Sequence, residues 1–480
     1  MNDLAIRTLD DGETTIPGEA LDDLAARFSG TLLTPADDGY DDARAIWNGM
    51  VDRWPALIAR CETAEDIAAA LSFAREHDLL VSVRGGGHNI AGNAVCSGGL
   101  MISLENMKRV DVDPEAKIAR VQPGASLADV DAATQEHGLA TPTGINSTTG
   151  IAGLTLGGGF GWLSRRYGMT IDNLVSAHVV LPDGRIVRTS AEEEPDLFWA
   201  IRGGGGNFGV VSSFEFRLHP VGPEVLSGLI VHPGDAAADF LRFYRDFAPT
   251  LPDEAAVWVV MRKAPPLPFL PEEWHGRDIV VVAAFHAGDK EEGERILKPL
   301  REWGEPIADV IGPHPYAGWQ QAFDPLLEPG ARNYWKSHDF NELSDAFFDE
   351  LVDAAGRLPT GECEVFIGQV GGQMGRVPSN ATAYPNRHAA YIMNVHTRWQ
   401  DEAQDGECIA WARDLFEATK PHAAGTVYVN FMPTDESDAV ERAYGDNYGR
   451  LAELKARYDP GNRLRMNQNI RPALAPEQSA

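Results

Sequence analysis

Three glycine-rich stretches, at 85–87, 157–161 and 203–206, are where this sequence could lay bare backbone against a ligand. Glycine has no Cβ and reaches positive φ, so such loops bring N–H groups close to phosphate oxygens. The first stretch reads Arg84-Gly85-Gly86-Gly87-His88-Asn89 and sets an imidazole directly after three residues without side chains. A neutral imidazole nitrogen is a competent nucleophile toward an electrophilic cofactor. A His after a strand is equally an ordinary turn residue, and these six residues alone leave both readings open. The third stretch contains Gly204-x-Gly206-x-x-Gly209, formally a dinucleotide fingerprint. It follows FWAIR, which reads helical, and precedes a strand, the reverse of the strand-turn-helix context a Rossmann turn requires.

The elements that must carry these loops are legible. Thr63 followed by acids opens a helix over 63–76, and LLVSV at 79–83 reads as a short strand ending at the first glycine run. IARVQPG (118–124) is a strand and turn, and SLADVDAATQEHG (126–138) a helix closed by Gly138. Residues 176–190 form a hairpin about Pro182-Asp183-Gly184, and VVSSFEFRL (210–218) alternates as a strand. After Pro220 come longer strands (GLIVHP, AVWVVMR, DIVVVAAFHAG, ECEVFIGQVGG, AAYIMNVHTRW) mixed with helical patterns such as 235–247. The plan is α+β: a first domain over 1–220, an inserted domain with a mixed or antiparallel sheet over 221–440, and a tail, 441–480, that returns to the first. The tail carries an amphipathic helix, 448–460, stopped at Pro460-Gly461.

Composition narrows the function classes. Of 480 residues, 71 are Asp or Glu and 41 Lys or Arg, a net charge of −30 that disfavours nucleic acid and anionic membranes as partners. There is no long apolar run for a membrane span, and MNDLAIRTLDDGETT has no signal-peptide pattern, so a cytoplasmic protein is expected. Cys61, Cys96, Cys363 and Cys408 show neither CxxC spacing nor a companion His cluster; they read as buried small hydrophobes, and no metal site is expected.

Four segments in this order, VSVRGGGHNIAG (81–92), TGINSTTGIAGLTLGGGFGWLSRRYGMTIDNL (143–174), DLFWAIRGGGGNFGVV (196–211) and YDPGNRLRMNQNI (458–470), resemble the berberine-bridge-enzyme-like branch of the vanillyl-alcohol-oxidase flavoproteins, with their PCMH-type FAD-binding fold. Bacterial 6-hydroxynicotine oxidases and sugar oxidases belong to the same branch. The likeness spans nearly the whole chain and is weakest over 221–440. It implies FAD as cofactor, with Arg84, Gly85, Gly86, Gly87 and Asn89 holding the pyrophosphate, Gly92 also binding the cofactor, and His88 bonded to the flavin 8α-methyl. Many members add a thioether from a Cys in a GxCxTxG segment. The stretch here is Gly144-Ile145-Asn146-Ser147-Thr148-Thr149-Gly150, and Asn146 cannot form that bond, so the resemblance implies a single covalent link. Gly153, Gly157, Gly158, Gly159 and Gly161 match positions lining the cofactor, as do Gly209, Val210 and Val211, and Asn467 and Asn469 in the returning tail. Thr149 matches the position that gates dioxygen.

The resemblance further implies an oxidase acting on a small molecule, with hydride passing from a CH–OH or CH–NH group to FAD and O2 as acceptor, giving hydrogen peroxide. A dehydrogenase using another acceptor, or a flavin-bearing protein without turnover, are the alternatives. The base is less plain. Relatives use the second Tyr of YxNYxD, and here the segment is Tyr428-Val429-Asn430-Phe431. On a strand Tyr428 would point away from the face of Phe431. In AAYIMNVHTRW, Asn394 and His396 share one face and Tyr391 the other; His396 could take a proton near neutral pH or be an ordinary strand His. Trp319, Tyr334, Trp335 and Tyr391 are aromatics for a pocket wall or for the core.

Overall fold

Thr63 closes a capping box with Asp66: the Thr63 side chain accepts from the Asp66 N–H, the Asp66 carboxylate accepts from the Thr63 N–H at 3.1 Å, and the helix Ala64–Glu76 begins there. Ser126 and Asp129 start Leu127–Gln135 in the same way. The computed structural model describes residues 1–474, with the backbone alone at 437 and 438.

Three sheets organise the chain. In the first, Leu57–Arg60, Leu100–Ser103 and Val81–Arg84 run parallel, with Thr31–Leu33 antiparallel on the edge. The helix Ala64–Glu76 supplies the crossover between two of its parallel strands, and the first glycine run leaves the sheet at the end of Val81–Arg84. The second sheet is antiparallel, in the order Ile186–Ser190, Leu174–Val180, Val210–Arg217, Ile118–Val121, Val110–Asp113. The expected hairpin turns at Pro182-Asp183-Gly184, with Gly184 at φ +89 and its N–H on Leu181 O at 2.9 Å.

The third sheet has eight strands, all paired antiparallel, so the sheet left open as mixed or antiparallel is antiparallel throughout. Its central strands are Asp278–His286, Ala255–Lys263, Glu364–Gln369 and Tyr391–Trp399, and Arg332–Phe340 lies beyond the last. Helices Ala237–Phe247, Asp345–Ala355 and Asp405–Thr419 cover one face, where Val257, Val259, Met261, Tyr391, Met393 and Val395 are buried. Trp258, Phe366 and Ile392 alternate to the opposite face, packing with Phe160, Trp162 and Tyr428 from outside the sheet. All four cysteines are buried and none is paired in a disulfide. Among the described residues no helix is long and apolar enough to cross a membrane.

The C-terminal helix Tyr448–Tyr458 packs against Pro195–Ile201 through Leu451 and Leu454, in the same cluster as Phe208. It is fixed by a fully buried ion pair. Lys455 Nζ donates to Asp459 Oδ2 and to Asn207 O, each at 2.7 Å, while the Asp459 carboxylate accepts the N–H groups of Arg463 and Leu464 at 2.9 Å. Removing one member strands a charge, and Asp459→Ala should cost about 3–5 kcal/mol. Asp196→Ala, which breaks the exposed pairs with Arg450 and Arg457, should cost less than about 1 kcal/mol. Urea unfolding of the two variants checks the contrast; equal losses would contradict it.

Candidate active site

The loop after Val81–Arg84 meets the loop before the helix Ile151–Leu156 backbone to backbone. A Cβ on Gly86 would fall 2.5 Å from both N and Cα of Gly150, so neither position accepts a side chain without the loops parting. Gly150 is itself pinned, with Leu127 N donating to Thr149 O at 2.9 Å and Ile151 N to Ala125 O at 3.0 Å. Along this junction runs a long cavity, closed on its far side by strands of the antiparallel sheet and by the returning tail.

Of the residues singled out in the sequence, Gly85, Gly86, Gly87, His88, Asn89, Gly144, Asn146, Thr149, Gly150, Gly153, Gly157, Gly209, Val210, Val211 and Asn467 line this one cavity. Asn394, His396 and Tyr428 line it too. Others lie outside the lining, each for a visible reason. The Arg84 guanidinium turns away to Ala43 O and to Glu105, 3.4 Å distant. Gly92 (φ +72) sits where a Cβ would strike Val51 at 2.6 Å. Gly158 and Gly159 hold positive φ in a turn packed against Met169 and Thr170, and a Cβ on Gly161 would lie 2.2 Å from Thr143 O. These are packing glycines. Thr148 is exposed, with Oγ1 3.2 Å from His88 Nε2, and Asn469 keeps a buried Oδ1 without a partner among the described residues.

At one part of the cavity His88 is stacked on Trp47, centroids 5.1 Å apart and planes 20° from parallel, with Nε2 at 3.2 Å from Thr148 Oγ1. Burial disfavours the imidazolium and, against a smaller opposing pull from the Thr148 backbone, lowers its pKa from 6.5 to about 4. His88 is therefore neutral, with a nucleophilic lone pair, at pH 7.

The sheet supplies the other chemistry. His396 Nδ1 lies 3.2 Å from Glu364 Oε1, its Nε2 has no partner among the described residues, and the Trp335 ring stands edge-on with centroids 4.5 Å apart. Burial alone would raise the Glu364 carboxyl, but Arg262 at 2.7 Å, with His396 and Arg398, holds it down at about 2. Asn394, two residues along the same face, donates to Lys336 O at 3.3 Å. Tyr391 points the other way and packs on Tyr244, as alternation requires.

Tyr428 departs from expectation. Residues Val429–Phe431 are a 3-10 turn, not a strand, and positions three apart in such a turn lie on one side. Tyr428 and Phe431 therefore both face the cavity, rings edge to face at 4.9 Å. The Tyr428 hydroxyl accepts from Gly159 N–H and Asn430 Nδ2, each at 3.0 Å, yet burial outweighs these and keeps its pKa at about 12. It stays protonated at neutral pH.

Of the four aromatics singled out, Trp335 lines the cavity, while Trp319, Tyr334 and Tyr391 are buried in core clusters. Sequence reasoning missed Trp47, Glu364, Trp258 and Phe366, whereas Gly205 and Gly206 of the third glycine run line the cavity beside Asn207. A carboxylate inside the apolar strand ECEVFIGQV was the one available signal for Glu364.

Glycine-bared backbone, an imidazole facing that backbone and a flat aromatic wall suit a planar cofactor with a phosphate tail, the site of a flavoprotein oxidoreductase. Comparison with known proteins agrees. Residues 55–190 match the family described as an FAD binding domain, and residues 427–471 the family described as berberine and berberine like. An FAD-linked oxidoreductase of Dictyostelium discoideum is 31% identical over 95% of this chain and 97% of its own. The (R)-6-hydroxynicotine oxidase of Paenarthrobacter nicotinovorans is 31% identical over 93% of this chain and 97% of its own. The crystal structure of a 6-hydroxy-D-nicotine oxidase from Arthrobacter nicotinovorans superposes with a TM-score of 0.84 at 28% identity, covering 93% of this chain and 98% of that one. The chain belongs to the berberine-bridge-like family of FAD-linked oxidoreductases, with that family's two-part α+β fold, and is an enzyme.

The two kinds of glycine should respond differently to a methyl group. Gly153 is exposed on the cavity with nothing within 4 Å of an added Cβ. Gly153→Ala should leave stability within about 0.5 kcal/mol of wild type while lowering flavin content. Gly86→Ala should cost about 1–3 kcal/mol or more as well as flavin. Thermal unfolding and the flavin-to-protein absorbance ratio separate them, and a fully loaded Gly153→Ala protein would contradict the placement.

Proposed function

We propose that the protein is an oxidase that carries FAD on a single bond to His88 and takes hydride from a CH–OH or CH–NH group of a small substrate, with O2 as final acceptor. The observation that carries this reading is that a neutral His88 and the His396–Glu364 pair open onto one glycine-lined cavity. When bound, FAD supplies the two-electron acceptor. The chain's own residues do the rest. In this reading residues 1–220 and 441–480 hold the cofactor and 221–440 the substrate, with Gly85 to Asn89, Gly150, Gly153 and Gly209 to Val211 offering backbone to the phosphates and ring.

His396 takes the hydroxyl or amine proton on Nε2, and Glu364, ionised because Arg262 steadies it, orients the ring through Nδ1 and stabilises the cation that forms. Asn394 and Tyr428 line the same cavity and add hydrogen-bonding groups to it. Phe431, where relatives carry Tyr, removes the alternative base. The wall next to the pair is apolar: Trp258 lies parallel to Phe366 (5.6 Å, 4°), and Phe431 stands edge-on to both Phe366 and Trp335. This supports a substrate with a flat apolar body beside its carbinol or amine carbon over an oligosaccharide. The oxidase named among the relatives for 6-hydroxynicotine is in keeping with that shape.

Mixing the enzyme without air against a panel of aryl carbinols, heteroaromatic amines and oligosaccharides tests the reading. Bleaching by the flat substrates, followed by rapid recovery and peroxide on admitting air, is expected; slow recovery would contradict an oxidase, and silence across the panel would contradict turnover. His396→Ala should lower the rate of bleaching by about 10²–10⁴. Glu364→Gln should lower it less, since the amide still holds Nδ1 but no longer sets a negative charge beside the cation that forms. A wild-type rate in His396→Ala would remove it as the base.

A further inference from the structure

We propose that Asn146 and Thr148 are a positioning pair that fixes the tautomer of His88 and thereby selects Nδ1 as the nitrogen that bonds to the flavin. The inference rests on the covalent reading above and follows from three hydrogen bonds. The Thr148 N–H points at the Asn146 amide at 3.1 Å, and only an amide oxygen can accept it, which identifies the atom as Oδ1. Thr148 Oγ1 lies 2.7 Å from the same Oδ1, so the single hydroxyl proton is donated there. Oγ1 is also 3.2 Å from His88 Nε2, and with its own proton committed it can only accept. The hydrogen of the neutral ring therefore sits on Nε2, and the Nδ1 lone pair is free. Burial keeps the ring in this neutral form, and the Trp47 indole stacked on it restrains its rotation.

In the bond-forming step the Nδ1 lone pair closes on the 8α carbon as that methyl group releases one hydrogen as a proton. The ring releases the Nε2 proton, which it must lose to end neutral. The electron pair enters the isoalloxazine, which takes up two electrons and two protons in all, and O2 removes these as hydrogen peroxide. Asn146 occupies the position where doubly linked relatives carry Cys, so the residue that forgoes the second link serves the first.

The test uses the full chain. Apoprotein is incubated with FAD in air, denatured in acid at intervals and scored for protein-bound flavin by fluorescence and intact mass; the linked nitrogen is then assigned by NMR on the isolated histidyl-flavin peptide. Wild type, Thr148→Ser and Asn146→Asp, which keep the acceptors, should link through Nδ1 at similar rates. Thr148→Val keeps the shape and loses the acceptor, and should link about tenfold more slowly or through Nε2. An Nε2 link in wild type, or wild-type rate and Nδ1 linkage in Thr148→Val, would overturn the positioning role while leaving the covalent reading intact. A wild-type protein with no bound flavin after denaturation would overturn both. Should Thr148→Val fail to bind FAD at all, the nitrogen found in wild type and in Thr148→Ser still decides.

Discussion

The contact of two glycine turns, Gly86 against Gly150, is the constraint on which the rest of the site depends. Two loops from different parts of the fold can run backbone to backbone only where neither has a Cβ. One turn is the end of a buried parallel strand and the other the start of a helix, so both are held from behind by hydrophobic clusters. Their meeting sets His88 over the cavity, with Trp47 on one side and Thr148 on the other. A wider approach would leave an imidazole on a surface loop, with nothing to turn it toward a cofactor.

The antiparallel sheet contributes by strict alternation. Along Tyr391–Trp399, odd-numbered positions through Val395 enter the helical core and even-numbered ones face outward, so Asn394 and His396 are delivered side by side to the cavity. The register then sets Glu364 directly opposite His396 on the neighbouring strand, which is how a cross-strand pair becomes a proton-handling pair. Arg262, opposite Glu364 on the next strand, completes a row of three across the sheet. The tail closes the arrangement, tied through Lys455 to the backbone of Asn207 at the cavity edge.

Much of this was legible in residue order. The cap at Thr63, the helical pattern after Ser126, the Pro182-Asp183-Gly184 turn and the longer strands after Pro220 are local signals, and the structure places elements where they fall. Local signals also failed in instructive places. Arg332–Phe340 gave no strand pattern because Asn333, Lys336, Ser337, His338 and Asp339 are buried polar residues whose partners, such as Glu436 on Lys336, are about a hundred positions away. Tyr428 was misplaced because a 3-10 turn changes the facing rule from two residues to three. Trp47 carried no signal, since stacking on His88 is settled only when the loops meet. The glycines divide by geometry that spacing cannot reveal: Gly153 opens to the cavity, while Gly161 and Gly92 are held tight by neighbours.

The claim at the centre is that His88, alone, holds the flavin. Intact mass of the acid-denatured protein tests it most directly, with wild type beside His88→Ala. The account predicts a wild-type chain heavier by one FAD less two hydrogens, the addition mapping to the His88 peptide and vanishing in the variant. A wild-type mass equal to the bare polypeptide, or an addition that survives in His88→Ala, would contradict it.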